Sequence, residues 1–281
     1  MDKYIKSFDD TQIYYNHLPN KNPHTLVFLH GVGGNLTLWK KEIEYFQKKG
    51  YSTLALDLRG HGISQYYDDS EKYRIPCFTR DVYEILKNEN INQFSLIGYS
   101  IGGGIAVHYL MRYKSLYPSS LVLVDTAITY PFDHDHLLNL NSYFTHFLRF
   151  ITNHKPTLKE HFPHLKDLDF SENGIRKEIN LISHLLHLTP LFSLVKTLDN
   201  LEKYSFHNRK KIDWTLSNLK IPTLIISGEK DETIPVHFSQ QIKELKKDAE
   251  FKIIKGAHHQ ITIENSEEIS KVMEHFLTRQ Y

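Results

Sequence analysis

Six short, nearly continuous apolar runs recur between residues 25 and 257. They are TLVFLHG, STLALDLRG, FSLIGYS, SLVLVDT, IPTLIISG and FKIIKGA. Runs of this length that are apolar on both faces are typical of parallel strands covered by helices on both sides. YIKSF and QIYYNH, on either side of Asp9 and Asp10, alternate apolar and polar residues instead, which predicts a hairpin with one solvated face.

Amphipathic helical patterns separate several of these strands. LWKKEIEYFQKKG, which ends at Gly50, is one such pattern, and FTRDVYEILKNEN, with Val82, Ile85 and Leu86 on one face, is another. Strands that alternate with helices indicate an α/β fold with a mostly parallel sheet.

The alternation lapses between residues 131 and 214, where apolar residues recur at helical spacing. TLKE at 157–160 has the pattern of a capping box, and Pro190 is expected to end or kink a helix. Because the strand pattern resumes at IPTLIISG, we predict that 131–214 is a helical cap inserted into one α/β core domain made of residues 1–130 and 215–281.

The composition narrows the class of protein. The 281 residues include 34 Lys and Arg against 33 Asp and Glu, so no strong overall charge attracts nucleic acid or an anionic membrane. The single cysteine, Cys77, cannot form an internal disulfide, which fits a reducing compartment. No run approaches the roughly 20 apolar residues of a membrane span, and the N-terminus lacks the apolar core of a signal peptide. We expect a soluble, cytoplasmic protein that does not insert stably into membranes.

One serine lies among glycines between a strand and a helix. Gly98, Ser100 and Gly102 fit the pattern G-x-S-x-G, with FSLIGYS before it and an amphipathic run after it. A sharp turn from strand to helix crowds the backbone, and glycines two positions on either side relieve that crowding. This context predicts that Ser100 is an exposed nucleophile at a helix N-terminus.

A serine hydroxyl needs a base, and the base needs an acid that orients it. Asp231 follows the strand IPTLIISG, and two histidines follow the last strand in GAHHQITIE. The order Ser, Asp, His is that of an α/β-hydrolase. Each of these residues lies just past the carboxyl end of a different strand, where open α/β sheets gather their ligands.

The chain resembles the α/β-hydrolase family, specifically its cap-bearing esterase-like branch, over nearly its full length. The resemblance is carried by HGVGGN at 30–35, DLRGHGIS at 57–64, GYSIGG at 98–103, GEKDETIP and GAHHQITIE. It implies a mostly parallel eight-stranded sheet flanked by helices, a Ser-Asp-His triad and hydrolysis of an ester or related bond, without naming the substrate.

The family pattern orders the candidates for base and acid. The usual ending, Gly-x-Gly-His with a glutamate five residues later, puts His259 at the catalytic position, although His258 replaces the usual glycine. For the acid, the spacing of Gly228, Asp231 and Pro235 matches the family loop, whereas Asp125 at the end of SLVLVDT is a competing carboxylate. The expected triad is Ser100, Asp231 and His259.

The resemblance also implies an oxyanion hole. HGVGGN corresponds to the family's oxyanion loop, so the backbone N–H groups of Val32 and Ile101 are expected to bind the oxyanion. In DLRGHGIS, Arg59 and His61 are expected to have structural roles.

Metal and cofactor chemistry is not expected. His184 and His187 share a helix face, but no carboxylate or cysteine completes a ligand set at matching spacing. We therefore expect a serine hydrolase without metal or cofactor that cleaves a carboxylic ester or thioester of a small, largely apolar substrate. Alternatives on the same triad are a carbon–carbon bond hydrolase, a lyase, a cofactor-free haloperoxidase and a ligand receptor with slow turnover.

Overall fold

A computed structural model describes residues 2–129 and 189–280. Within these ranges, eight strands, seven α-helices and two 3-10 helices occur in one sheet-centred domain. The strands are β1 (Asp2–Lys6), β2 (Gln12–Leu18), β3 (Asn22–Leu29), β4 (Tyr51–Leu56), β5 (Phe94–Tyr99), β6 (Ser120–Val124), β7 (Thr223–Gly228) and β8 (Glu250–Ile254). The helices are α1 (Lys40–Lys48), α2 (Ile75–Asn88), α3 (Ile101–Arg112), α4 (Leu191–Ser217), α5 (Val236–Leu245), α6 (Ile261–Glu264) and α7 (Ser266–Leu277), and the 3-10 helices are Leu36–Trp39 and Ser70–Tyr73.

The eight strands form one sheet in the order β1-β2-β4-β3-β5-β6-β7-β8. β1 and β2 form the predicted hairpin, β2 pairs antiparallel with β4, and the remaining neighbours pair in parallel. The hairpin turn contains Asp10 at a φ of 63°, a conformation that aspartate tolerates better than most residues. The predicted mostly parallel, eight-stranded α/β fold is confirmed.

Helices cover both faces of the sheet, as the two-sided apolar runs require. One apolar core lies between the sheet and helices α2 to α5, and a second lies between the sheet and helices α1, α6 and α7. The central strands β3, β4, β5, β6 and β7 are buried along nearly their whole lengths, whereas β8 at the sheet edge is partly exposed. Burial on both faces explains why the central runs lack the alternation of the hairpin.

The loop after β4 is held by a buried ion-pair network. The Arg59 guanidinium is fully buried and donates hydrogen bonds to both carboxylate oxygens of Asp81, at 2.7 and 2.6 Å, and to Asp9 at 3.1 Å. A buried guanidinium is tolerated when it is paired in this way. Arg59 therefore joins the β1–β2 turn, α2 and this loop, in agreement with its expected structural role.

Most of the predicted cap lies outside the described residues, including TLKE at 157–160, His184 and His187. Its described part, 189–214, is mainly helix α4, which Pro190 immediately precedes and which continues through residue 214 to Ser217. Within the described ranges, every helix is too short or too polar to cross a lipid bilayer.

Candidate active site

Ser100 occupies the turn between β5 and α3 in a strained backbone conformation. Its φ of 54° and ψ of −121° lie in a region that side-chain-bearing residues rarely adopt. A Cβ on Gly98 would come within 2.5 Å of the Gly102 backbone, and a Cβ on Gly102 would come within 2.3 Å of the Leu29 carbonyl oxygen. The glycines at these two positions are therefore needed for close packing of helix against strand.

A third glycine of the turn, Gly103, faces the loop after β6. A Cβ on Gly103 would lie 2.0 Å from Oγ1 of Thr126, whereas a Cβ on Gly104 would meet nothing within 4 Å. The Ser100 N–H donates to the carbonyl oxygen of Val124 at 2.9 Å, which ties the turn to the end of β6. The strained serine is thus held against the end of β6 and the loop that follows it.

The loop after β3 lies directly beside Ser100. A Cβ on Gly31 would be 3.1 Å from the Cβ of Ser100. Among the described residues, nothing accepts a hydrogen bond from the backbone N–H of Val32 or of Ile101, the first residue of α3. Two unengaged N–H groups near a serine, one of them at a helix N-terminus, can stabilise negative charge.

Asp231 and His259 form a hydrogen-bonded pair between the loops after β7 and β8. Nδ1 of His259 lies 2.7 Å from Oδ2 of Asp231, while Oδ1 of Asp231 accepts from the N–H groups of Thr233 and Ile234, each at 2.8 Å. The Asp231 side chain is fully buried and 21% of the His259 side chain is exposed. Because Nδ1 bonds the carboxylate, neutral His259 carries its proton there and leaves Nε2 as an acceptor.

The second histidine of the pair has a different environment. His258 is half-buried, and its carbonyl oxygen would be 3.1 Å from a Cβ on Gly228, so its backbone packs closely against the end of β7. The hydrogen bond to Asp231 comes from His259. The two candidates are therefore distinguished by their contacts in the folded protein.

Tyr99 connects the serine turn to the histidine loop, a role that the sequence analysis missed. Its hydroxyl donates to the carbonyl oxygen of His259 at 2.7 Å, and the two ring centroids are 5.1 Å apart. Burial and the nearby carboxylates raise the pKa of Tyr99 well above its usual value, so it stays neutral and donates. Since Ser100 follows Tyr99 directly, this contact fixes the two loops relative to each other.

Asp125, the competing carboxylate of the sequence analysis, lies close to Asp231 and His259. It is fully buried at a φ of 42°, and its Oδ1 accepts from the Gly228 N–H at 2.7 Å. Ligand atoms of Asp125, Asp231 and His259 all lie within 4.8 Å of one another. The position of Asp125 at the end of the strand next to β5 was the signal in the sequence that pointed toward the site.

This three-residue cluster has spacing that a metal ion could use, but its donors are largely engaged. Both oxygens of Asp231 and Nδ1 of His259 take part in hydrogen bonds within the protein. A metal would have to displace those bonds, so we interpret the cluster as a hydrogen-bonded array of side chains.

An apolar cluster adjoins the loop after β3. Val32 packs against Leu194, Val195 and Leu198 from the first turns of α4, and all three are buried. The three residues from α4 belong to the described part of the predicted cap. The candidate site is thus bordered on this side by aliphatic groups.

Comparison with known proteins agrees with this architecture. A model of the family described as the alpha/beta hydrolase fold matches residues 24–266. The AB hydrolase superfamily protein YisY of Bacillus subtilis is 24% identical, over 98% of this chain and 99% of its own. A Synechocystis protein described as a non-heme chloroperoxidase is 26% identical, over 94% of each chain.

Solved structures show the same fold. An esterase from Exiguobacterium antarcticum superposes with a TM-score of 0.77 at 20% identity, covering 99% of this chain and all of its own. At this identity the likeness establishes the fold alone.

Proposed function

The chain belongs to the α/β-hydrolase fold family, and on that premise we propose that it is a serine hydrolase that cleaves a carboxylic ester or thioester through an acyl-enzyme. The observation that carries the proposal is the 2.7 Å hydrogen bond from His259 to buried Asp231, in loops next to the strained Ser100 turn. In this assignment Ser100 is the nucleophile, His259 the general base and Asp231 the acid that orients it.

The first half-reaction forms a covalent intermediate. Nε2 of His259 accepts the Ser100 hydroxyl proton as Oγ attacks the acyl carbonyl carbon. Asp231 holds the imidazole in the tautomer with Nδ1 protonated and stabilises the imidazolium. His259 then protonates the leaving alcohol or thiol as the bond to the acyl carbon breaks.

Backbone N–H groups stabilise the intermediate of this step. The N–H groups of Val32 and Ile101 are proposed to bind the oxyanion, since both are unengaged among the described residues and their loops adjoin Ser100. Loss of one such donor typically costs about 3 kcal/mol of transition-state stabilisation.

The second half-reaction releases the acid. Nε2 of His259 takes a proton from water as the water oxygen attacks the acyl-enzyme carbonyl carbon. The bond between Oγ of Ser100 and the acyl carbon then breaks, and His259 returns the proton to Oγ, which releases the carboxylic acid and regenerates the Ser100 hydroxyl. The two half-reactions balance with water as the co-reactant, so the proposed cycle needs no metal or cofactor.

The proposed substrate is a small ester with a largely apolar acyl group. Support comes from the aliphatic border formed by Val32, Leu194, Val195 and Leu198. A buried charge on the substrate would need a partner. Each methylene that enters an apolar pocket can contribute up to about 0.8 kcal/mol.

A second candidate function is cofactor-free haloperoxidase chemistry on the same triad. The specific reason is the Synechocystis relative described as a non-heme chloroperoxidase. In that case the acyl-enzyme would be attacked by hydrogen peroxide instead of water, forming a peracid that oxidises halide. The two activities share Ser100 and differ in the second nucleophile.

The proposal is tested with p-nitrophenyl esters of graded acyl length, run beside thioesters. We expect kcat/KM to rise from acetyl to butyryl or longer acyl groups until the pocket is full, and Ser100→Ala to abolish the activity. A steady fall from acetyl upward, or a preference for charged acyl groups, contradicts the substrate assignment. Addition of peroxide and bromide to the same assay reports the second candidate through halogenation of a phenolic dye.

A further inference from the structure

Asp125 has no part in the mechanism above, yet it is buried close to Asp231 and His259. Its backbone has a positive φ of 42°, a conformation that is uncommon for residues other than glycine and that aspartate tolerates better than most. The Asp125 N–H donates to the carbonyl oxygen of Ile226 at 2.9 Å, and its Oδ1 accepts from the Gly228 N–H. Asp125 is thus fixed at both backbone and side chain.

One oxygen of this buried carboxyl lacks a hydrogen bond. Oδ2 of Asp125 is fully buried and accepts no well-formed hydrogen bond within the described ranges; the side chains beside the carboxyl group are those of Asp231 and Ser227, and the Ser227 hydroxyl is likewise buried without a well-formed hydrogen bond. The nearest acidic group is Asp231, with a carboxylate oxygen within 4.8 Å of one on Asp125. An unpaired carboxylate oxygen buried beside a second carboxylate is unfavourable unless a proton lies between them.

Within residues 2–129 and 189–280, no lysine or arginine compensates a second negative charge here. Among the ion pairs of the described residues, Asp231 pairs with His259, and no lysine or arginine pairs with Asp125 or Asp231. The hydrogen bonds to Asp231 from Thr233, Ile234 and His259 all favour its ionised form. Asp231 is therefore the residue of the pair that carries the charge.

We propose that Asp125 is protonated and donates a hydrogen bond to Asp231, so that the two carboxyl groups share one negative charge behind His259. Asp125 is a positioning residue: it acts on His259 through Asp231. This inference rests on the proposed function, since it describes how the charge of the proposed triad acid is set.

Electrostatics of the surroundings agree with this protonation state. Burial, together with the negative charge of Asp231, raises the pKa of Asp125 well above its usual range. In the part of the chain that the structure describes, the other titratable groups that face the pair are His259 and Tyr99, and Glu264 contributes negative charge near Tyr99. Neither tyrosine nor glutamate supplies the positive charge that would favour ionisation of Asp125.

The arrangement limits how strongly Asp231 stabilises the imidazolium. A hydrogen bond donated to a carboxylate withdraws part of its charge, so Asp231 stabilises the imidazolium less strongly than an undisturbed carboxylate would. An imidazolium that is stabilised less strongly gives its proton to the leaving group more readily.

The test measures the pKa of His259 directly by NMR titration of protein with labelled histidine side chains. Its resonance is identified by its loss in His259→Gln. The pKa is compared among wild type, Asp125→Asn and Asp125→Ala, with Asp248→Asn as the control, because the exposed Asp248 precedes the amino end of β8 whereas His259 follows its carboxyl end. Circular dichroism verifies that each variant is folded.

The proposal predicts different results for the two variants at position 125. Asparagine keeps an acceptor for Gly228 and a donor for Asp231, so the pKa of His259 should stay within about 0.3 units of wild type. Alanine removes the donor, so the pKa of His259 should rise by about half a unit or more. The Asp248→Asn control should leave it unchanged.

Two results would overturn the proposal. If Asp125 were ionised, both substitutions would remove a negative charge close to the imidazole, and the pKa of His259 would fall in both. If Asp125 had a purely structural role, folded Asp125→Ala would show the wild-type value. Should the alanine variant not fold, a lowered pKa in Asp125→Asn alone contradicts the proposal and an unchanged one supports it. None of these readouts depends on ester hydrolysis, so failure of the proposed function would be seen separately.

Discussion

Nδ1 of His259 lies 2.7 Å from Oδ2 of Asp231, whereas the adjacent His258 presents its backbone to Gly228 at the end of β7. Two consecutive histidines thus have different surroundings, although each follows the last strand. The hydrogen bond with a fully buried carboxylate fixes the His259 ring and leaves Nε2 available.

Replacement of each histidine by alanine should therefore have unequal effects. His259→Ala removes the proposed base and should lower kcat by several orders of magnitude, as removal of triad members does. His258→Ala, the matched control, should keep activity within about tenfold of wild type. The measurement is kcat and KM with the preferred p-nitrophenyl ester, and a reversal of the two effects would move the base to His258.

The second prediction compares two glycines of the serine turn. A Cβ at Gly102 would lie 2.3 Å from the Leu29 carbonyl oxygen, whereas a Cβ at Gly104 would meet nothing within 4 Å. Gly102→Ala should displace the turn, destabilise the protein by about 1–3 kcal/mol and lower kcat at least tenfold. Gly104→Ala should stabilise α3 by about 0.5–1 kcal/mol and leave kcat unchanged.

Urea unfolding and ester hydrolysis measure these effects together. Equal stability of the two variants would show that the close approach of α3 to β3 is not required. Loss of activity in Gly104→Ala at full stability would show that the turn tolerates no added side chain anywhere along the first helical turns.

The apolar runs were sufficient to predict the fold because a strand that is buried on both faces is apolar along its whole length. Each of the six runs became one of the strands β3 to β8, and the alternating segments became the hairpin. The strand–serine–helix context likewise located the turn at Ser100, since only small residues fit beside a sharp turn.

Contacts between residues distant in sequence were not predictable in the same way. Asp125 meets the Gly228 N–H 103 residues away because β6 and β7 are neighbours in the sheet, a pairing that the residues of either strand do not specify. The partners of Arg59 are 22 and 50 residues away, on α2 and in the β1–β2 turn. Such pairs depend on topology, which patterns within a single segment do not encode.

The third prediction concerns a buried glutamate on α1. Glu42 is fully buried, and neither of its carboxyl oxygens has a hydrogen-bond partner among the described residues. Burial raises the pKa of Glu42 from 4.5 to about 8. Between these values the unfolded chain releases its proton while the folded protein keeps it, so this group lowers stability as the pH rises from 4.5 to about 8.

Glu42→Gln should remove this dependence. The variant should have nearly the same stability as wild type at pH 5. Toward pH 8 its free energy of unfolding should exceed that of wild type by an amount that grows by up to about 1.4 kcal/mol per pH unit. Glu44→Gln, on the exposed face of the same helix, should show no such trend. Urea unfolding at pH 5 and pH 8 measures the free energy of unfolding of wild type and of both variants. If the difference between Glu42→Gln and wild type were the same at the two pH values, Glu42 would ionise normally in the folded protein.

The central claim is that Ser100 is a nucleophile activated by His259. A fluorophosphonate reacts covalently with an activated serine, so peptide mass spectrometry of the labelled protein identifies that serine directly. The claim predicts that Ser100 is labelled and no other serine, that folded Ser100→Ala takes up no label, and that His259→Ala is labelled far more slowly than His258→Ala. Labelling at another serine, or no labelling of folded wild-type protein, would contradict it.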